Sequence, residues 1–103
     1  MSVVVIASTT PQPEQAQAVR EALLASVPAV HDEPGCELYA LHEEADGTLV
    51  VIERWESSEA LQQHMQGEDF GELGRQLDGE MTRPAEIRVL TAVPAGDSAK
   101  GAL

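Results

Sequence analysis

The sequence predicts one α+β domain with the element order β-α-β-β-α-β and a four-stranded antiparallel sheet, the ferredoxin-like arrangement. Three observations predict this fold class. Four short apolar stretches rich in β-branched residues alternate with two stretches of helical periodicity. The two middle apolar stretches are joined by Asp46-Gly47, a dipeptide typical of a tight hairpin. The chain has 103 residues, a length that suits a single domain.

The first strand and helix occupy the first third of the chain. Val3-Val4-Val5-Ile6 is a β-branched run that continues to Thr9 and predicts a strand. Pro11 and Pro13 end this strand and are placed to open a helix. Pro28 is expected to kink or end the helix near its last turn. The helix is predicted from apolar residues at spacings of three and four, namely Ala16, Val19, Leu23, Val27 and Val30.

The two middle strands are predicted over residues 36–44 and 48–56, after a turn at residues 32–35. Side chains in the first of them alternate between faces. Leu38, Ala40 and His42 point one way, and Tyr39 and Leu41 point the other way.

The second helical region begins after Ser57, a favourable N-cap residue. A short helix ends at Gly67, and a second helical piece follows. The last strand is predicted over residues 85–93. The domain is assigned to residues 1–94, and the tail 95–103 is expected to contact a partner subunit. The first helical piece carries Ala60, Leu61, His64 and Met65, and the second brings Phe70, Leu73 and Leu77 inward.

Both faces of the predicted sheet are apolar. Strands one and three carry apolar residues at consecutive positions, whereas an antiparallel sheet with one wet face alternates apolar and polar residues. Two helical stretches can cover only one of these faces. The sequence therefore predicts a homodimer in which a second sheet covers the other face.

The composition excludes several classes of partner. The 18 acidic residues outnumber the 6 Lys and Arg, and the net charge is -12. Nucleic acid and anionic membrane surfaces bind clustered positive charge, so neither is expected. No apolar run approaches the roughly 20 residues that span a bilayer, and no basic leader is present, so a cytoplasmic location is expected. Cys36 is the only cysteine, which precludes an internal disulfide.

No cofactor or metal motif is present in the sequence. It lacks a dinucleotide fingerprint, a phosphate loop, a nucleophile elbow and paired cysteines. The three histidines are far apart and match no ligand spacing. We therefore predict neither a metal nor a cofactor.

Several side chains could carry chemistry, and each has a structural alternative. Trp55 could fill the core or donate its N–H into a pocket. His64 could be a structural hydrogen-bonding group or a proton-transfer group. Glu53 shares a strand face with Trp55 and could act as a base. Arg75 could be a donor or a surface residue, and Tyr39 could contact a ligand or a second subunit.

Three segments together resemble the antibiotic biosynthesis monooxygenase (ABM) family, and the resemblance covers about residues 3–93. The segments occur in the order and spacing of that family: Glu33-Pro34-Gly35-Cys36-Glu37-Leu38-Tyr39, Val51-Ile52-Glu53-Arg54-Trp55 and Ala60-Leu61-Gln62-Gln63-His64.

The resemblance implies a dimeric α+β barrel with a pocket between the sheet and helices of each subunit. It also implies oxidation of quinols or aromatic phenols by molecular oxygen without metal, flavin or haem, although a subset of the family degrades haem. On this basis we predict Trp55 and Arg75 as oxyanion donors, and His64 and Tyr39 as proton-transfer groups. The residues predicted to contact substrate are Tyr39, His42, Val51, Leu61 and Phe70.

One feature departs from the family pattern. The aromatic-ring oxygenases in this family also use an Asn near the Trp, and this chain has no Asn. His42 and Ser8 are the candidates for its place. The predicted function is a cofactor-independent monooxygenase acting on a small aromatic quinol or phenol. A non-catalytic small-molecule-binding dimer and a haem-binding relative remain as alternatives.

Overall fold

The computed structural model describes residues 2–103 and has the predicted element order. The sheet order is β2-β3-β1-β4, and every neighbouring pair is antiparallel. This confirms the ferredoxin-like α+β fold. The elements are β1 (Val3–Thr9), a 3-10 turn (Pro13–Gln15), α1 (Ala16–His31), β2 (Cys36–Glu43), β3 (Leu49–Trp55), α2 (Ser58–Gln66), α3 (Glu68–Leu77) and β4 (Glu86–Thr91).

The helices cover one face of the sheet, which we call the inner face. α1 packs against β2 and α3, and α2 packs against β3. Val5 on β1 lies opposite Glu53 on β3 and Val89 on β4, so these three positions cross the sheet in one row. The main core cluster lies between this face and the helices and consists of Val3, Val5, Val30, Tyr39, Val51, Trp55, Ala60 and Leu61.

The first helix does not end at Pro28, contrary to one of the two expectations for this residue. α1 includes Pro28 and continues to His31. Proline removes the hydrogen bond to the carbonyl of Leu24, which lies on an exposed turn where water can replace it. Val30 is only 2% exposed and belongs to the core cluster, and this burial stabilises the last turn.

The start of α2 follows the sequence prediction. The Ser57 hydroxyl accepts a hydrogen bond from the backbone N–H of Ala60 at 3.1 Å. Gly67 has an extended conformation and separates α2 from α3. The cap and the break together turn the chain so that both short helices lie over the inner face.

The opposite, outer face of the sheet carries partly exposed apolar side chains. Ile6, Val50 and Ile52 point to this face, and Leu90 on β4 is 41% exposed. All six residues of β4 are exposed, and Val89, on its inner side, is 56% exposed. The backbone hydrogen bonds of the tail 95–103 are formed within the tail, as in the bond that the Ala95 N–H donates to the Gly101 carbonyl at 3.3 Å. Within residues 2–103, no helix has the length and apolar character needed to cross a membrane.

Candidate active site

An apolar cavity of about 140 Å³ lies between the inner face and the three helices. Strand alternation places Val5, Ala7 and Thr9 of β1 along its floor. Two large apolar residues of its lining are exposed, Met65 at 39% and Ile87 at 40%. The remaining wall residues are Leu23, Tyr39, Val51, Glu53, Leu61, His64, Phe70, Leu73, Gly74, Leu77 and Ala85.

His64 is the buried histidine of this cavity wall. Its side chain is 4% exposed and stacks on the Trp55 indole, with ring centroids 4.5 Å apart at 28°. Tyr39 and Phe70 approach it edge-on at 5.9 Å and 5.4 Å. Three aromatic rings therefore fix the position of the imidazole, and this packing was not evident from the lone helical histidine in the sequence.

The two nitrogens of His64 have different surroundings. Nδ1 lies 2.8 Å from Oε1 of Glu33. Nε2 has no hydrogen-bond partner among the described residues. Every fully buried side-chain nitrogen or oxygen of these residues does have a partner, so Nε2 is not one of the fully buried atoms. Nε2 therefore retains some accessible surface, and the His64 ring is part of the cavity lining. Burial lowers the pKa of His64, and the nearby carboxylates of Glu53 and Asp69 oppose this effect.

Glu33 is a site residue that the sequence analysis did not select. It lies in the turn between α1 and β2 and is 18% exposed. Burial, followed by the neighbouring Asp69 carboxyl, raises the pKa of Glu33 from 4.5 to about 7. The available signal was its place in the Glu33-Pro34-Gly35-Cys36 segment. The structure joins this segment to the helical histidine of the third segment.

Glu53 is a buried carboxylate in the cavity wall, on the face predicted from strand alternation. It is 5% exposed and accepts a hydrogen bond from the indole N–H of Trp55 at 2.9 Å. Burial raises the pKa of Glu53, while the Trp55 hydrogen bond and the His64 charge act against this rise. Glu53 and His64 are thus the two polar side chains with proton-accepting capacity at the cavity.

Trp55 does not line the cavity. It is fully buried behind His64, and its N–H is engaged by Glu53. The structure therefore supports the core-filling alternative, and the expected direct donation to a substrate does not fit the position of the indole. Its contacts indicate that it positions Glu53 and His64.

Tyr39, Val51, Leu61 and Phe70 all line the cavity, at the places where substrate contacts were predicted. Burial, followed by the charge of Glu53, raises the pKa of Tyr39 well above its usual range. Tyr39 therefore keeps its proton near neutral pH and is suited to donate a hydrogen bond rather than to act as a base.

Three candidates lie away from the cavity, which corrects their predicted placement. His42 is exposed on the outer face, because it is three positions from Tyr39 on the same strand and side chains alternate. Ser8 points to the same outer face, opposite Val50. Arg75 is exposed on α3, where its guanidinium donates to the Glu72 carboxylate at 2.7 Å. His42 and Ser8, the candidates for the place of the family's Asn, therefore do not line the cavity.

No group of three or more His, Cys, Asp or Glu residues within 2–103 is arranged to hold a metal ion. The side chains that form the site are those of an apolar cavity with a buried carboxylate, Glu53, and a buried histidine, His64. The fold and this cavity define a small α+β domain with two buried titratable side chains in an apolar pocket.

Comparisons with known proteins identify the family to which this domain belongs. The family model described as antibiotic biosynthesis monooxygenase matches residues 2–76. Rv0793 of Mycobacterium tuberculosis, named a putative monooxygenase, is 37% identical over 89 residues, which cover 85% of this chain and 88% of Rv0793. The chain belongs to the antibiotic biosynthesis monooxygenase family.

Solved structures agree with this assignment. The structure of Rv0793 matches with a TM-score of 0.87 and 34% identity, over 94% of this chain and 100% of that one. A putative antibiotic biosynthesis monooxygenase from Caulobacter crescentus CB15 matches with a TM-score of 0.83 and 28% identity, over 89% of this chain and 90% of that one. Both share the fold in which the cavity lies.

Proposed function

We propose that the protein is a cofactor-independent monooxygenase that oxidises a small phenol or quinol with molecular oxygen. The observation that carries the proposal is the environment of the two ring nitrogens of His64. One of its nitrogens is bound to Glu33, the other has no hydrogen-bond partner among the described residues, and the ring lines an apolar cavity that also contains Glu53.

The size and lining of the cavity favour a small aromatic substrate. Its volume is about 140 Å³, close to the roughly 150 Å³ of an engineered apolar cavity that binds benzene. The aromatic edges of Tyr39 and Phe70 suit contact with another ring. A cavity of this size favours a ring of this kind over a haem, which has four pyrrole rings.

The chemistry needs few protein groups. A deprotonated phenol is electron-rich enough to reduce oxygen itself. In a phenol, the ring C–H opposite the phenol oxygen becomes a carbonyl, and in a quinol a ring C–H beside one of the two oxygens becomes C–OH while the quinol becomes a quinone. In both cases one atom of O2 enters the ring and the other leaves as water. The substrate supplies all the electrons, so the protein has to remove a proton, exclude water and return the proton to the leaving oxygen.

Each step has a matching side chain. His64 is neutral near pH 7 because burial lowers its pKa, and its Nε2 accepts the phenol proton. The imidazolium then formed is stabilised by the carboxylates of Glu33 and Glu53. Tyr39 supplies a donor for the developing oxyanion.

The functional unit in this proposal is a homodimer. The outer face carries apolar side chains that the helices of the same chain do not cover, and β4 is exposed along its whole length. Packing against the outer face of a second copy removes this area from water. The predicted contact of the tail 95–103 with the partner subunit belongs to the same proposal.

Oxygen consumption tests the proposed reaction. The purified protein is mixed with 1-naphthol and with a reduced naphthoquinone under ¹⁸O2, and oxygen uptake and label in the product are measured. We expect uptake with one labelled oxygen per product. His64→Ala should reduce uptake about 100-fold or more, while the control Gln62→Ala, at an exposed position on the same helix, should retain it.

Other results would redirect the proposal. Uptake without label in the organic product would indicate an oxidase. Saturable thermal stabilisation by naphthols without any uptake would select the non-catalytic binding protein. Either result would overturn the monooxygenase assignment.

A further inference from the structure

The hydrogen bond between Glu33 and His64 joins two groups that both titrate. Glu33 is a carboxyl group with 18% of its side chain exposed, and His64 is 4% exposed. A carboxylate accepts a hydrogen bond from Nδ1–H, whereas a carboxylic acid whose O–H faces Nδ1 donates a hydrogen bond to it. When the added proton lies on Oε1, the oxygen that faces Nδ1, the two states of Glu33 favour opposite tautomers of His64.

We propose that Glu33 is a positioning residue whose protonation state selects which nitrogen of His64 carries the proton. With Glu33 ionised, Nδ1 holds the proton and Nε2 is free to accept one from a ligand in the cavity. With Glu33 protonated, the proton of neutral His64 lies on Nε2, and the histidine is no longer a base on the cavity side.

The second part of the argument is the surroundings of Glu33. The titratable groups that act on it or are acted on by it come from four elements: His64 of α2, Asp69 of α3, Cys36 and Tyr39 of β2, and Glu53 of β3. All except His64 are acids, and none supplies a positive charge to hold Glu33 ionised. Burial, followed by the neighbouring Asp69 carboxyl, raises the pKa of Glu33 to about 7.

The tautomer should therefore change close to neutral pH. Below this range Glu33 is an acid and Nε2 carries the proton. Above it Glu33 is ionised and Nε2 is free. The tautomer change adds a pH dependence to the proposed function. It rests on the proposed function only for the activity measurement, because the tautomer of His64 can be measured in the protein without substrate.

Nitrogen-15 NMR of histidine-labelled protein between pH 5 and 9 tests the inference. The wild type should change from the Nε2–H to the Nδ1–H tautomer with a midpoint near 7. Asp69→Asn should move this midpoint to lower pH, because it removes a neighbouring acid. Glu33→Leu should abolish the change, and the exposed control Glu44→Gln should leave it as in the wild type.

The activity arm uses the pH dependence of oxygen uptake. In the wild type kcat should rise through pH 7, and Glu33→Leu should lower kcat about 10- to 100-fold with KM within about twofold. A tautomer that does not change with pH in the wild type, or that changes equally in Glu33→Leu, overturns the inference. If the tautomer responds as expected but no substrate is oxidised, the inference stands and the proposed function fails.

Discussion

The indole N–H of Trp55 donates to the carboxylate of Glu53, two residues earlier on β3, at 2.9 Å. Both side chains are on the inner face, and both are buried. The only indole of the chain is therefore bound to the buried carboxylate of the cavity rather than open to a ligand.

The first prediction concerns this pair. Trp55→Phe should lower the free energy of unfolding by about 2–4 kcal/mol, because it removes a hydrogen bond to a buried acid and leaves a small void. It should also raise the pKa of Glu53 further, since the Trp55 hydrogen bond is the larger of the two effects that oppose burial. Urea denaturation and carbon-13 NMR of the glutamate carboxyls measure the two effects.

A matched variant separates the hydrogen bond from the packing. Glu53→Gln keeps an oxygen that can accept from the indole N–H while removing the charge. It should cost less stability than Trp55→Phe. An unchanged Glu53 titration in Trp55→Phe would show that the indole does not control this carboxyl.

The inner face of the sheet was predictable because it depends on local periodicity. Alternation along β3 placed Glu53 and Trp55 on one side, and the Ser57 cap and Gly67 break marked the helix ends. The Glu33–His64 contact was not predictable in this way, since the residues are 31 positions apart and meet only when α2 folds over the turn. Arg75 was misplaced because helical periodicity alone did not show that its guanidinium pairs with Glu72 in solvent.

The second prediction concerns Gly35, which brings Glu33 and α2 together. Gly35 has φ +81°, and a Cβ at this position would lie 2.5 Å from the Cβ of Ala60. Gly35→Ala should therefore lower the free energy of unfolding by about 2–4 kcal/mol, combining backbone strain and overlap. It should also displace the α2 helix that carries His64, visible as altered histidine NMR shifts.

Gly47→Ala is the matched control for Gly35→Ala. Gly47 has φ +92°, but nothing lies within 4 Å of an added Cβ. It should cost only the backbone strain, about 1–2 kcal/mol, without a change at His64. Equal effects of the two substitutions would contradict the close approach of Ala60.

The third prediction concerns the outer face. Ile52→Glu places a charge in the centre of the apolar patch, where it should prevent association because burying an unpaired charge is costly. Sedimentation velocity at micromolar concentration should show a species of twice 11.0 kDa for the wild type and of 11.0 kDa for the variant. Leu24→Glu, at a 50% exposed site on α1, should remain dimeric. A monomeric wild type would remove the dimer from the proposal.

The fourth prediction is a pH dependence of stability that originates at Glu33. Its pKa rises from 4.5 to about 7 in the folded protein, so the folded state binds a proton more tightly than the unfolded state. The resulting contribution to stability is complete below about pH 4.5 and is lost as the pH rises through about 7. Glu33→Gln imitates the protonated form at every pH. It should match the wild type near pH 5 and exceed it by about 1–3 kcal/mol near pH 8.

Urea denaturation of both proteins at these two pH values measures that difference. The comparison between wild type and variant cancels the carboxyls whose pKa is lowered on folding, such as Glu37, Asp46 and Glu72, since they are present in both proteins. Glu44→Gln supplies the control for removing an exposed charge, and its effect should be the same at both pH values. A constant difference between Glu33→Gln and the wild type would show that Glu33 ionises at its ordinary pKa, so that its carboxyl could not select the tautomer of His64 near neutral pH.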